Sequence, residues 1–453
     1  MTNLSSSTSR NGTAVRSRRS FLKNAGAALA AGFLAPALIP ARALGRDGNT
    51  APSNRLTLGL VGCHQGWGDM NSFFGFKDVQ PVAICDVDKN TCEDRARNVD
   101  RRFGKGTGRY YDFREMFEKA KLDTVIIAPP DHWHGIIGVA AARKGIHIYG
   151  EKPLAHTLKE GRAIANAVKQ HGVVWQTGSW QRSTGNFFRA VELVRNGVIG
   201  KVSRVEVGTL ATQNGFDHSL RSNPDANRIG KPPAHIDYDM WVGPAAWMEF
   251  DPRFITYHWR WILNFGGGNL MDWVGHHVDI AHWGMGFDET GPVKIESDPK
   301  NCNYSRKLPF DAETAYDYSC TYATGQVINV ASRFPTGAKF YGENGKWVYV
   351  DRGRLSSSNN AEILNAPNNP EAPPVYFSNN HSRNFIDCVK AGKVEGTITP
   401  VESAHRSASV GHLGHIAVKT GRTIHWDPVT ETIKDDPVAT QLLSPSYRAP
   451  WVL

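Results

Sequence analysis

Three residues have the types and spacing for moving a proton. Glu151-Lys152-Pro153 follows the apolar stretch Gly145–Gly150, which puts Lys152 at the carboxyl end of what reads as a strand. Ligands of open α/β sheets collect at such ends. A lysine there acts as proton donor or acceptor when burial and a neighbouring positive charge lower its pKa. The plain alternative is a surface lysine, and the triplet alone favours it. Asp272 and His276 stand four apart in Leu270–Trp283, a stretch that reads as a helix after Gly266-Gly267-Gly268. Four residues is one helical turn, so both side chains project from one face. A carboxylate beside a histidine orients the ring and raises its basicity, as a general base requires. Asp279, three beyond His276, is a candidate second orienting acid. On spacing alone an exposed i,i+4 polar pair is the commoner outcome; the apolar flanks Trp273, Val274 and Ile280 weigh against it. The chemistry that fits is oxidation of an alcohol. His276 is the main acid/base, with Asp272 and Lys152 orienting the hydroxyl and relaying its proton. His276, His277, Asp279 and His282 are dense in metal-ligand types, but His277 is rotated off the His276 face, so no metal is assigned.

The surrounding elements must position these groups. Arg55–Gly62 reads as a first parallel strand, and Cys63-His64-Gln65-Gly66-Trp67-Gly68 as a turn entering a helix. Glycine at such a turn lets backbone approach a pyrophosphate, so Gly62, His64 and Gly66 are assigned to a dinucleotide, although His64 stands where a second glycine is expected. Asp86 ends the next strand, Val82–Cys85, and is spaced to accept hydrogen bonds from ribose hydroxyls. It favours NAD, with NADP the alternative; the rival reading is a helix-capping aspartate. The strand Asp123–Ala128, a helix Gly135–Lys144, a helix Thr157–Gln170 and a strand Val173–Gly178 continue a strand–helix alternation that implies a parallel, doubly wound sheet. Around Tyr257–Trp261 aromatics are dense. His258, Arg260 and Trp180 are assigned to substrate, because flat apolar faces beside hydrogen-bonding cations suit sugar rings; core packing is the even alternative.

The loop Pro129, Asp131, His134, the triplet Glu151-Lys152-Pro153 and the run Gly266–Asp279 together resemble the Gfo/Idh/MocA oxidoreductases, from about residue 55 to the end. Gln181-Arg182-Ser183, His258–Trp261 and Arg448-Ala449-Pro450-Trp451 resemble that family's exported, twin-arginine branch. The resemblance implies an N-terminal Rossmann dinucleotide-binding domain (54–178). It implies a C-terminal α/β domain with an open, mainly antiparallel sheet (179–453) for substrate and oligomer contacts. It maps catalytic roles onto Lys152, Asp272 and His276, and sets Pro129, Asp131, His134 and Glu151 beside the cofactor.

Residues 1–43 read as a leader. Ser17-Arg18-Arg19-Ser20-Phe21-Leu22-Lys23, the apolar stretch Ala25–Ile39 and Ala41-Arg42-Ala43 match a twin-arginine signal with a cleavage site. An uncleaved anchor is the minor alternative. The leader carries six basic residues and no acid, so cleavage after Ala43 takes the formal charge from +9 to +3, leaving no case for a nucleic-acid partner. Export in a folded state favours a tightly held cofactor. Six scattered cysteines form no framework. The expectation is an exported, periplasmic, homo-oligomeric NAD(P)-dependent oxidoreductase acting on a ring hydroxyl or keto group of a sugar, glycoside or cyclitol. The alternatives are an NAD-using glycosidase or lyase working through transient ring oxidation, and a non-catalytic binding protein.

Overall fold

The computed structural model describes residues 50–210, 229–305, 309–444 and 446–453; the leader expected at 1–43 lies outside them. Met1–Arg55 is a unit apart, described only by a short 3-10 turn at Pro52–Asn54. Leu56–Leu453 is the second unit, and it holds the two large sheets and a small two-stranded one, Asn303–Tyr304 with Glu313–Ala315.

Six strands form a wholly parallel sheet: β1 (Leu56–Val61), β2 (Val79–Cys85), β3 (Gly108–Tyr110), β4 (Thr124–Ile127), β5 (His147–Gly150) and β6 (Trp175–Thr177). Their order is β3-β2-β1-β4-β5-β6, so the direction of winding reverses between β1 and β4. Loops diverge at such a reversal and open a crevice at the carboxyl ends. The strands are apolar runs because helices cover both sheet faces: α1 (Gly66–Phe73), α2 (Lys89–Phe103), α3 (Phe113–Lys119), α4 (His134–Arg143) and α5 (Leu158–His171). Their ends follow local chemistry. Asp88 caps α2 by accepting from the Asn90 and Thr91 amides, Thr157 caps α5, and Gly172 ends α5 in the left-handed region. The cap of α2 is thus two residues beyond Asp86, which is left for other duties. Sequence reading passes over β3 and α3, because Gly108-Arg109-Tyr110 is half-buried and carries no apolar run.

The second sheet is mixed, with β7 (Arg204–Gly208), β8 (Lys294–Ser297), β9 (Asp317–Thr321), β10 (Val327–Ala331), β11 (Gly337–Tyr341), β12 (Trp347–Asp351), β13 (Arg354–Ser357), β14 (Ile424–Asp427) and β15 (Thr432–Ile433). The order is β13-β12-β11-β7-β10-β9-β8-β14-β15, antiparallel throughout except for β7 with β10. Alternation is visible in β12, where Val348 and Val350 are buried between half-buried Trp347, Tyr349 and Asp351. Helices α6 (Gly185–Arg195), α7 (Gly268–Met285) and α9 (Val401–Thr420) cover the buried face, and α9 also packs on α5. α8 (His381–Ala391) returns to the first sheet, where Phe385 packs edge-on against Phe73 and Tyr149. The tail wraps back as well: Trp451 meets Trp133 at 4.7 Å between ring centroids. All six cysteines are free.

α7 is enclosed on nearly every side, and apart from its last residue only Asp272 and Trp273 are not buried. Asp279 does not orient His276. It points the other way and binds Arg182, with Oδ2 2.8 Å from Nε and Oδ1 2.8 Å from Nη2, while Asp288 takes the same guanidinium at 2.7 Å. Arg182 is 2% and Asp279 1% exposed, so each is the other's main compensation. Arg182→Met strands a buried carboxylate and is expected to cost about 3–5 kcal/mol. Denaturant midpoints at unchanged m-value measure it.

Candidate functional site

A cavity of about 750 Å³ occupies the crevice. One wall is the carboxyl ends of the parallel strands, with Gly62, Cys63 and His64 after β1, Asp86 after β2, Pro129, Asp131 and His134 after β4, and Glu151 and Lys152 after β5. The facing wall comes from the second domain: Tyr257, Trp259, Arg260, Asp272, Trp273, His276 and, from the β12–β13 turn, Arg352.

The first wall fits a dinucleotide. Gly62 has φ +86°, and a Cβ there would lie 2.5 Å from the Pro129 nitrogen, so only glycine carries the chain around this turn. Gln65, the N-cap of α1, and Asp69 in its first turn line the same space, and Gln65 makes no side-chain capping bond, so the Gly66 and Trp67 amides at this helix end have no side-chain cap. Asp86 accepts from the Cys63 amide at 2.7 Å and the Asp88 amide at 2.9 Å, holding the turn while one edge faces the cavity. Burial pushes its carboxyl up, against the lowering by those two amides. Two assigned residues work differently from expectation. Gly66 does not line the cavity; a Cβ there would meet Ala128 at 2.8 Å and Leu60 at 2.9 Å, so it lets α1 settle onto β1 and β4. His134 sits between two strand ends, its ring nitrogens 2.8 Å from the Pro153 carbonyl and 2.9 Å from the Pro129 carbonyl; burial lowers its pKa, and the neutral ring donates to one of the two.

The reactive groups meet where the walls join. Lys152 Nζ is 2.6 Å from Asp272 Oδ1 and 3.0 Å from the Asp272 carbonyl. Burial works to depress the ammonium, but Asp272 and Glu151 outweigh it, and the pKa of Lys152 is raised, opposite to the lowering expected from sequence. Burial opposes the charge of Asp272 too, and Lys152 and Arg260 overcome it, holding that carboxyl below its usual range. Arg260 Nε stands 3.7 Å from the same oxygen. His276 is also unlike its expectation. Asp272 is committed to the cations, and His276 Nδ1 has no hydrogen-bond partner among the described residues. Burial, then Lys152, His277 and Arg352, push its pKa well below the ordinary value. The ring is therefore neutral and not made more basic by its i,i−4 neighbour. His277 turns away, with Nδ1 2.7 Å from the Gly208 carbonyl.

Trp180 and Arg260 line the cavity, but His258 does not; it is buried beside Thr256 Oγ1, Trp261 and Phe310, and its neighbours Tyr257 and Trp259 take the cavity face. Sequence reasoning missed Asp69, in the first turn of α1, which confronts Glu151 across the floor. Burial and then Glu151 push Asp69 up to about 9, so the two carboxyls share a proton. It also missed Arg352, whose only sequence signal was a basic residue in a polar turn.

Asp131 is buried and pushed up to about 7, with burial outweighing the lowering by Arg260. An unfolded aspartate gives up its proton near 3.9, so between about 4 and 7 the folded chain binds the extra proton and stability falls as pH rises. Asp131→Asn is expected to make that fall shallower by up to about 1.4 kcal/mol per pH unit, read from denaturation midpoints at pH 4 to 7.5.

Residues 56–179 match the model for an oxidoreductase family NAD-binding Rossmann fold, and residues 188–453 match the same family's C-terminal alpha/beta domain. A levoglucosan dehydrogenase of Pseudarthrobacter phenanthrenivorans is 32% identical over 154 residues, 32% of this chain and 39% of that enzyme. A glycosyl hydrolase family 109 protein of Parabacteroides distasonis is 27% identical over 259 residues, 51% of each chain. The chain thus spans about half or less of the length of these curated relatives. The crystal structure of the WlbA dehydrogenase from Bordetella pertussis, in complex with NADH and UDP-GlcNAcA, shares the fold at TM-score 0.58 and 16% identity, covering 82% of this chain and 99% of that one. With both of its domains matched by the paired family models, the chain belongs to the Gfo/Idh/MocA oxidoreductases.

Proposed function

We propose that this oxidoreductase moves hydride between NAD(H) and a ring CH–OH carbon of a sugar, glycoside or cyclitol. The observation that carries the reading is the Lys152–Asp272 ion pair at the junction of the dinucleotide wall and the aromatic wall, beside the neutral imidazole of His276. When bound, the nicotinamide accepts or returns the hydride. The chain's own residues handle the hydroxyl. Lys152, kept protonated by Asp272, donates a hydrogen bond to the substrate oxygen and stabilises the negative charge that grows there as the O–H proton leaves. His276, neutral across the neutral range, takes that proton. Asp272 holds the lysine in place and keeps it charged. Trp180 and Tyr257, 41% and 53% exposed, offer flat faces to a sugar ring at the rim. Asp86 supports NAD over NADP, because a carboxylate repels a 2′-phosphate.

The leader motif around Arg18 and Arg19 supports export by the twin-arginine machinery with the cofactor tightly held, and so a periplasmic site of action. The family 109 relative supports a second reading, in which a ring carbon is oxidised, the aglycone eliminated and the carbon reduced again.

Incubation with NAD and a panel of sugars, glycosides and cyclitols is expected to yield NADH in step with keto product. Cleavage of a glycoside with no net change in NADH absorbance would move the assignment to the second reading. Lys152→Met and Asp272→Asn are expected to lower kcat by about 10²–10⁴ while the dinucleotide still binds. Native mass spectrometry should find NAD on the purified chain and lose it in Asp86→Ala. Replacing Arg18 and Arg19 by lysine should leave the protein in the cytoplasmic fraction.

A further inference from the structure

Arg352 is set at the rim in an unusual way. It projects from the β12–β13 turn, and its guanidinium lies between two indoles, 4.8 Å from the Trp180 ring centre and 4.9 Å from Trp273. With the Gln181 amide turned so that its nitrogen donates to the His276 carbonyl, the amide oxygen accepts from Arg352 Nε at 3.1 Å. The fork is thus stacked and hydrogen-bonded on its inner edge, and among the described residues no carboxylate oxygen comes within 4.0 Å of it. On the same wall Arg260 is held the same way, 4.0 Å from the Tyr257 ring and 4.3 Å from Trp259. Arg260 and Lys152 both turn to Asp272, at 3.7 and 2.6 Å. Three cations therefore surround this end of the cavity. Of the carboxylates lining this end, Asp272 is held in its ionised form and Asp131 is only partly ionised near neutrality. Asp351, next to Arg352 in the chain and acting on its charge, accepts from Thr336 Oγ1 at 2.6 Å and stands 3.8 Å from His277 Nε2. Arg352 is close enough to bear on the protonation of both Asp272 and His276.

A planar, pre-oriented guanidinium with free N–H groups is matched by a carboxylate or a phosphate, which it binds through two parallel hydrogen bonds. Stacking removes the entropy cost of ordering the arginine before the ligand arrives.

We propose that the substrate carries an anionic substituent, a carboxylate or a phosphate, which Arg352 binds at the rim while the sugar ring lies along Trp180 and the reacting hydroxyl reaches Lys152. The proposal rests on the sugar-oxidoreductase reading, and deepens it to acidic or phosphorylated sugars.

Binding separates the two. Chain loaded with NADH is titrated with D-glucose, D-glucuronate and D-glucose 6-phosphate, and indole fluorescence is followed. At least one anionic sugar is expected to bind about tenfold or more tighter than glucose. The ratio should collapse toward one in Arg352→Gln and recover only partly in Arg352→Lys, which has the charge without the fork. Glucuronate as the preferred probe identifies the carboxylate, glucose 6-phosphate the phosphate. Equal or undetectable binding of all three, or a preference that survives Arg352→Gln, overturns the proposal. Oxidation of neutral sugars with no anion preference would leave the oxidoreductase reading standing and remove this one. Preference for the anion with neither NADH nor keto product, over the same panel, would do the reverse.

Discussion

The Lys152–Asp272 ion pair is the constraint on which the rest of this site depends. Each partner comes from a different layer: the lysine from the end of a parallel strand, the aspartate from a helix that covers the second sheet. Both side chains are about 15% exposed, so the attraction acts in a medium well below the dielectric of water. It moves both groups away from neutrality, raising one pKa and lowering the other. Without it the ammonium would be a buried cation next to Arg260, and the carboxylate would be free to serve His276. With it, Lys152 is a fixed donor, Asp272 is occupied, and His276 is left neutral with an unused nitrogen.

The scaffold explains why such a pair can be held accurately. Lys152 stands two residues past the end of β5, and the His134 ring is wedged between that strand end and the loop after β4, beside the carbonyls of Pro153 and Pro129. Asp272 lies in the first turns of a helix enclosed on almost every side, whose far end is pinned by Arg182 through Asp279 and Asp288. Neither group stands on a mobile loop, so little ordering remains to be done when substrate arrives. The imperfect glycine turn is tolerated for a related reason. The two steric duties of that turn, a left-handed backbone and a close helix–strand contact, fall on Gly62 and Gly66; His64 has an exposed position between them.

Much was legible from residue order alone. Continuous apolar runs identified the parallel strands, because strands buried on both faces tolerate nothing else. Glycine turns, Asp86 and the Glu151-Lys152-Pro153 triplet located the dinucleotide wall, because backbone approach and strand-end chemistry leave local signatures. The alternation of strands and helices sufficed for the first domain, apart from β3, which is too short and too polar to show, and the α3 that follows it.

Pairings across the fold were decided only in three dimensions. Sequence spacing coupled Asp272 to His276, since a helix sets them one turn apart. The tertiary structure delivered Lys152 and Arg260 to the same carboxylate, and a full charge outbids a neutral ring. Spacing likewise offered Asp279 to His276, yet helical rotation aims it at Arg182, a partner 97 residues away. His258 and Tyr257 are adjacent in the chain, and only packing determines which faces the cavity. Asp69 and Arg352 carry no motif; they matter because folding places one beside Glu151 and the other between Trp180 and Trp273. The chain by itself determined which residue types were available and which elements would form. The tertiary structure decided which charge meets which, because electrostatic partners are chosen by distance and burial, and neither is written in the order of the residues.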